Sequence, residues 1–167
     1  LEEGVTGFFV SLTCEEHDYM LDQLDQYQSC ETPNFLGVHI EGPFINIKNK
    51  GVMKVESIQE PSISKFDDFL QHCSKVKSMT IAPELLGALD VITYGNNKGI
   101  VMNIGHSSAT PSQVKEAQEF GAKGITHLYN AMGQHLHRDP GVVTGAFISD
   151  LKCELIVDGF HIHKDVI

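Results

Sequence analysis

The stretch Ile100-Val101-Met102-Asn103-Ile104-Gly105-His106, read on through Thr110-Pro111 and Gly121 to Gly124-Ile125-Thr126-His127, decides the fold. It opens on an apolar run the length of a buried strand and closes that run with a histidine. A second, shorter run ends the same way. Between them Thr110 supplies an N-cap, Pro111 a first helical position and Gly121 a stop, which predicts a helix over 111–120. The two histidines are 21 residues apart, the length of one strand–loop–helix–loop unit. Two such strands joined through a helix run parallel. Upstream, Leu36-Gly37-Val38-His39-Ile40-Glu41 has the same form and ends on a carboxylate.

Working outward, the alternation covers the chain. Strands are expected at 4–12, 35–40, 76–82, 100–105 and 123–128, and helices at 14–28, 64–73, about 84–94 and 111–120. The first helix has an apolar stripe of Tyr19, Met20, Leu24 and Tyr27, with Thr13 as its expected N-cap. Two further apolar runs follow at 142–148 and 153–157. A long connection from Pro43 to Pro61 is of the kind that often carries function. Alternating strands and helices imply a parallel sheet, either open and doubly wound or closed into a barrel. The GxGxxG turn of the first is missing, and polar residues after successive strands favour the second. The expected fold is α/β, part of a (β/α)8 TIM-like barrel. A full barrel takes ~250 residues, so the 167 residues read as one partial catalytic barrel domain, 1–167, incomplete at both ends.

Bulk composition narrows the partners. The chain is 41% apolar and 20% charged, with a formal net charge of -10. That charge argues against nucleic acid or an anionic membrane as a partner. No apolar stretch approaches the roughly 20 residues of a membrane span, and Leu1-Glu2-Glu3 is no start for a signal peptide. Cys14, Cys30, Cys73 and Cys153 form no CxxC pair and read as reduced thiols of a cytoplasmic protein.

Glu41, His106 and His127 are the residues that carry chemistry. Two imidazoles and one carboxylate are a ligand set that a catalytic zinc accepts, with a fourth position left for water. A lone strand-end histidine is usually structural, but two in register with Glu41 argue for a metal. His39 shares a strand face with Glu41 and is expected to be a core histidine or a support for the ligands. In Gly133-Gln134-His135-Leu136-His137-Arg138-Asp139-Pro140-Gly141 the two histidines read as solvated. Arg138 is suited to a phosphate, against the plainer reading of a surface pair with Asp139. His161 and His163 form an HxH, a weak signal; His161 is read as a substrate contact and His163 as peripheral.

Five stretches in order resemble the N-acetylglucosamine-6-phosphate deacetylase family of the metal-dependent amidohydrolase superfamily. They are 37–44 (Gly-Val-His-Ile-Glu-Gly-Pro-Phe), 105–107 (Gly-His-Ser), 126–132 (Thr-His-Leu-Tyr-Asn-Ala-Met), 137–141 (His-Arg-Asp-Pro-Gly) and 158–161 (Asp-Gly-Phe-His). The resemblance implies a barrel of the amidohydrolase type with Glu41, His106 and His127 on a divalent metal, zinc first and iron, manganese or cobalt as alternatives. It implies that Asn130, Ala131 through its backbone, Arg138 and His161 bind an amino-sugar phosphate, with Arg138 reaching a neighbouring site in a homodimer. The implied reaction is hydrolysis of the acetamide to acetate and glucosamine 6-phosphate, using a water that the metal acidifies.

Two departures qualify the match. Where some family members place a carbonyl-polarising histidine, this chain has Met53, which cannot donate that hydrogen bond. Val52 and Met53 are expected to line substrate by backbone only. The HxH of the family's first strand would precede Leu1, and its general acid/base aspartate would lie beyond Ile167, so these residues alone are expected to be inactive. Two alternatives stand beside this reading. One is an amidohydrolase of cyclic amides, which the phosphate-suited Arg138 disfavours. The other is a non-catalytic protein that binds a metal or a sugar phosphate.

Overall fold

The computed structural model describes residues 4–167. Its strands are β1 (Phe8–Thr13), β2 (Phe35–Glu41), β3 (Val76–Ile81), β4 (Val101–Ile104), β5 (Gly124–Ile125) and β6 (Lys152–Cys153). All neighbours pair in parallel, and the spatial order is the chain order, β1-β2-β3-β4-β5-β6. Helices α1 (His17–Gln28), α2 (Ile63–His72), α3 (Ala88–Asn97), α4 (Pro111–Glu119) and α5 (Gly141–Phe147) occupy the crossovers. Doubly wound sheets reverse strand order at a switch point. An order with no reversal and right-handed crossovers keeps every helix on one face, as in a barrel wall.

Side-chain alternation then sorts the two faces. Val38, Ile40, Met79, Ile81, Met102 and Ile104 pack in one core with Met20 and Leu24 of α1, Phe66 and Phe69 of α2, Val91 and Ile92 of α3 and Val114 of α4. Phe66 and Phe69 are fully buried, each contributing about 1.5–3 kcal/mol by transfer alone. The opposite parity carries His39, Glu41, Ser78, Thr80, Asn103 and Thr126, a polar wall facing away from the helices.

Several boundaries differ from the sequence expectation. Thr13 does not cap α1; it is the last residue of β1, in register with Glu41, and α1 starts at His17 with Glu16 at its N-cap making no side-chain bond. Of the expected stripe, Met20 and Leu24 are buried but Tyr19 is exposed. The third helix begins at Ala88 rather than 84, because Gly87 sits at φ 82 and starts it from a left-handed turn. The run 142–148 lies mostly in α5, and 153–157 contributes only Cys153 to β6. β5 is two residues long, because His127 (φ 34) and Tyr129 (φ 77) leave the extended region at once. The 111–119 helix has the expected cap: Thr110 accepts from the Gln113 amide while Gln113 reaches back to the Thr110 amide. The 43–61 connection is folded, with single helical turns at Ile47–Asn49 and Val55–Ser57.

Candidate metal centre

Three strand ends build the centre. Glu41 closes β2, between Thr13 and Thr80 in register. His106 and His127 each follow their strand by two residues, and Ile104 pairs with Ile125, so both imidazoles leave the sheet at one level. Glu41 Oε1 lies 3.0 Å from His106 Nε2 and 3.1 Å from His127 Nε2, and the two Nε2 atoms are 3.1 Å apart. Glu41, His106 and His127 form a group that could hold a metal ion among the described residues.

The donors fit a cation. A carboxylate accepts only, and His106 Nδ1 lies 2.8 Å from the Asn49 carbonyl, which also accepts only. The His106 hydrogen therefore sits on Nδ1, and a neutral ring aims its bare Nε2 at Glu41 and His127. Lone pairs converging at about 3 Å repel unless a proton or a metal lies among them. The edge of a tetrahedron with zinc-like bonds of ~2.0–2.1 Å is about 3.3 Å, close to the observed spacings.

Electrostatics without a metal show the same need. Where a proton rather than a metal lies on Nε2, hydrogen bonds from His106 and then His127 hold the Glu41 carboxyl far below its ordinary range, against the opposing effect of burial. Burial pulls the His127 imidazole down, but Glu41 outweighs it, so the net shift is upward.

Beneath the centre runs a buried polar chain. Ser78 Oγ lies 2.7 Å from His39 Nδ1, His39 Nε2 lies 2.9 Å from Thr80 Oγ1, and Thr80 Oγ1 lies 2.7 Å from Thr126 Oγ1. Burial lowers the His39 pKa, which suits a neutral ring bridging hydroxyls. Gly105 rests on this layer: a Cβ there would stand 2.7 Å from Thr80 Cγ2 and 3.0 Å from Thr126 Cβ. His106 and His127 both have positive φ, 48 and 34 degrees, as does Ala131 at 49. Non-glycine residues rarely adopt this region, and such strain clusters where geometry is dictated by function.

The remaining sequence candidates are spread more widely. Asn130 and Ala131 lie in the turn after His127, where the Asn130 amide donates to the His127 carbonyl at 2.9 Å. Val52 is 98% exposed, whereas the Met53 side chain is buried with Cys14 and Ile45. Arg138 is exposed in the loop before α5. His161 is also exposed, its Nδ1 2.6 Å from Asp158 Oδ2, while Asp158 Oδ1 accepts from the Phe160 and His161 amides. Those contacts push the Asp158 carboxyl down to about 2. His135 bonds the Pro140 carbonyl and Thr144 rather than being only solvated. The strand-end pattern in the sequence does not single out Thr80, Asn49 or Glu84. For Glu84 a signal existed: in Ala82-Pro83-Glu84 it comes just after β3, much as Glu41 closes β2.

A helix-backed parallel sheet in unbroken order, with one carboxylate and two imidazoles at its carboxyl edge, is the architecture of the metal-dependent amidohydrolase barrels. The chain belongs, within that class, to the N-acetylglucosamine-6-phosphate deacetylase family. It is 34% identical over 174 residues to the N-acetylglucosamine-6-phosphate deacetylase of Lysinibacillus sphaericus, covering 100% of this chain and 45% of the relative. It is 38% identical over 133 residues to an N-acetylgalactosamine-6-phosphate deacetylase of Escherichia coli, covering 77% and 34%. The crystal structure of the Mycobacterium smegmatis N-acetyl-D-glucosamine-6-phosphate deacetylase superposes with a TM-score of 0.91 at 30% identity, over 96% of this chain and 43% of that one. A mutant of that enzyme in complex with N-acetyl-D-glucosamine-6-phosphate gives 0.89 at 31% identity, over 94% and 42%. The chain thus spans less than half the length of the relatives it matches. No family model matches the sequence. Among the described residues, no helix is long and apolar enough to cross a membrane.

Proposed function

We propose that this chain carries the metal centre and part of the sugar-phosphate site of a cytoplasmic enzyme that hydrolyses the acetamide of N-acetylglucosamine 6-phosphate. The observation that carries the reading is the convergence of Glu41 Oε1, His106 Nε2 and His127 Nε2 to within 3.1 Å of one another. Glu41, His106 and His127 would hold a divalent ion. Zinc suits this donor set, with iron, manganese and cobalt as alternatives. Once bound, the ion supplies Lewis acidity and an acidified water.

The chain's own groups have distinct tasks. Asn49 fixes the His106 tautomer through its carbonyl, and the turn after β5 presents the Asn130 side chain and the Ala131 backbone toward substrate. Arg138 offers a guanidinium to the phosphate, from one protomer of a homodimer to the site of the next. His161, oriented by Asp158, contacts the sugar phosphate, and Val52 and Met53 line it by backbone. These residues form part of a single catalytic barrel domain.

The similarity to an N-acetylgalactosamine-6-phosphate deacetylase supports a second reading, the epimeric substrate. Acetate release from both 6-phosphates by the whole enzyme of which this chain is part, with added zinc, tests the two together. Glu41→Gln and His127→Gln are each expected to lose more than the roughly 10–100-fold typical of outer-sphere substitutions. Sugar-phosphate binding without acetate release under any divalent metal would overturn the hydrolase in favour of a binding role.

A further inference from the structure

We infer that Glu84 is a positioning residue for the metal centre: its carboxylate clamps the two loops that grip His106. This inference rests on the reading of Glu41, His106 and His127 as metal ligands. Glu84 itself lies outside that group.

The clamp is built from three donors. Glu84 Oε1 accepts from Asn46 Nδ2 at 2.8 Å and from the Ser108 amide at 2.6 Å, and Oε2 accepts from Ser107 Oγ at 2.7 Å. Asn46 lies in the loop after β2, at the start of the Ile47–Asn49 turn, while Ser107 and Ser108 follow His106 after β4. One carboxylate from the loop after β3 thus joins both neighbouring strand ends. Charge-assisted bonds of this length are roughly twice as strong as neutral ones.

Each tethered loop touches His106 directly. The Asn46 amide donates to the His106 carbonyl at 2.9 Å. Asn46 Oδ1 also caps the Ile47–Asn49 turn by accepting from the Lys48 amide at 2.9 Å. The last residue of that turn, Asn49, accepts from His106 Nδ1. Asn49 Nδ2 lies 2.5 Å from Ser108 Oγ, closing the ring of contacts. Ser107 is fully buried, and its hydroxyl, donated to Glu84, accepts in turn from the Ala109 amide at 2.9 Å. His106 has a left-handed backbone at φ 48, which persists only where its surroundings over-determine it. Glu84 supplies the determination from both sides, so it sets the direction of Nε2 without touching a ligand atom.

The test is cobalt(II) titration of the metal-free full chain, read by visible absorbance, for the unmodified protein, Glu84→Gln, Asn46→Ala and Ser107→Ala. Glu116→Gln on α4 serves as control. Circular dichroism selects the variants that retain the native fold. Glu84→Gln keeps the shape but removes the charge and one acceptor oxygen. It is expected to bind cobalt about 10–100-fold more weakly, the usual cost of losing an outer-sphere partner, and to show an altered d–d band. Asn46→Ala and Ser107→Ala should weaken binding in the same direction and Glu116→Gln should not. Folded variants whose affinity stays within about 3-fold and whose spectra are unchanged would overturn the inference. Failure of the unmodified protein to bind cobalt would instead overturn the underlying metal reading.

Discussion

Thr80→Val isolates the buried layer under the candidate metal centre. Thr80 is 0% exposed, and its hydroxyl bridges His39 Nε2 at 2.9 Å and Thr126 Oγ1 at 2.7 Å. Valine has the same shape, so no cavity term enters. What remains is two buried polar groups, each losing a partner at a cost of about 1–3 kcal/mol. The expected destabilisation is about 2–6 kcal/mol. At about 2–4 °C per kcal/mol for a chain of this size, Tm should fall by about 4–24 °C. Thr126→Val is milder, because Thr80 keeps its bond to His39; about 1 kcal/mol is expected. In the double variant only His39 is left short, so its cost should match Thr80→Val alone or fall about 1 kcal/mol below it. Equilibrium urea unfolding in EDTA measures all three, provided the m-values agree. Strict additivity of the two single costs, or a Thr80→Val cost under about 0.5 kcal/mol, would refute the hydroxyl relay.

Three further outcomes are expected. Gly105→Ala places a Cβ 2.7 Å from Thr80 Cγ2 and 3.0 Å from Thr126 Cβ; calorimetric titration should show zinc affinity down about 10–100-fold with His106 displaced, and an unchanged affinity would mean that the layer yields. In metal-free protein Glu41 titrates below its ordinary 4.5 and His127 above its ordinary 6.5. Glu41 therefore stabilises the fold above pH 4.5 and progressively less as the pH falls, while His127 stabilises it below pH 6.5 and less as the pH rises. The stability advantage of the unmodified chain over Glu41→Gln should peak between those values in urea titrations, and a pH-independent difference would contradict the pairing. Burial, then the nearby Glu15, pushes the Cys14 thiol up to about 12, whereas bonds to Thr32 lower that of half-buried Cys30. At pH 8, iodoacetamide should label Cys30 first by mass spectrometry, and prior labelling of Cys14 would contradict its burial.

The barrel-wall order and the Glu41–His106–His127 group were legible because both rest on local signals. A capped helix between two apolar runs fixes parallel pairing, and residues closing successive parallel strands meet at one edge. What was not legible depends on side chains whose role is set by distant partners. Thr13 has the chemistry of an N-cap, yet strand pairing with Glu41 claimed it. His127 and Tyr129 carry no sequence mark of positive φ, so the sequence predicts a β5 several residues longer than the one formed. Glu84 looked like a first-turn helical acid, a position where a carboxylate is ordinarily favoured. It is instead held in a loop by donors from Asn46, 38 residues before it in the chain, and from Ser107 and Ser108, 23 and 24 residues after it. No periodicity encodes such a contact. The candidate ligands of this centre therefore show as a pattern in one dimension, while the contacts of the groups that aim them show only once the strand ends are placed side by side. Substitutions at the aiming groups should spare the fold-defining pattern and change metal affinity, which is the distinction that cobalt titration of the Glu84 variants reads.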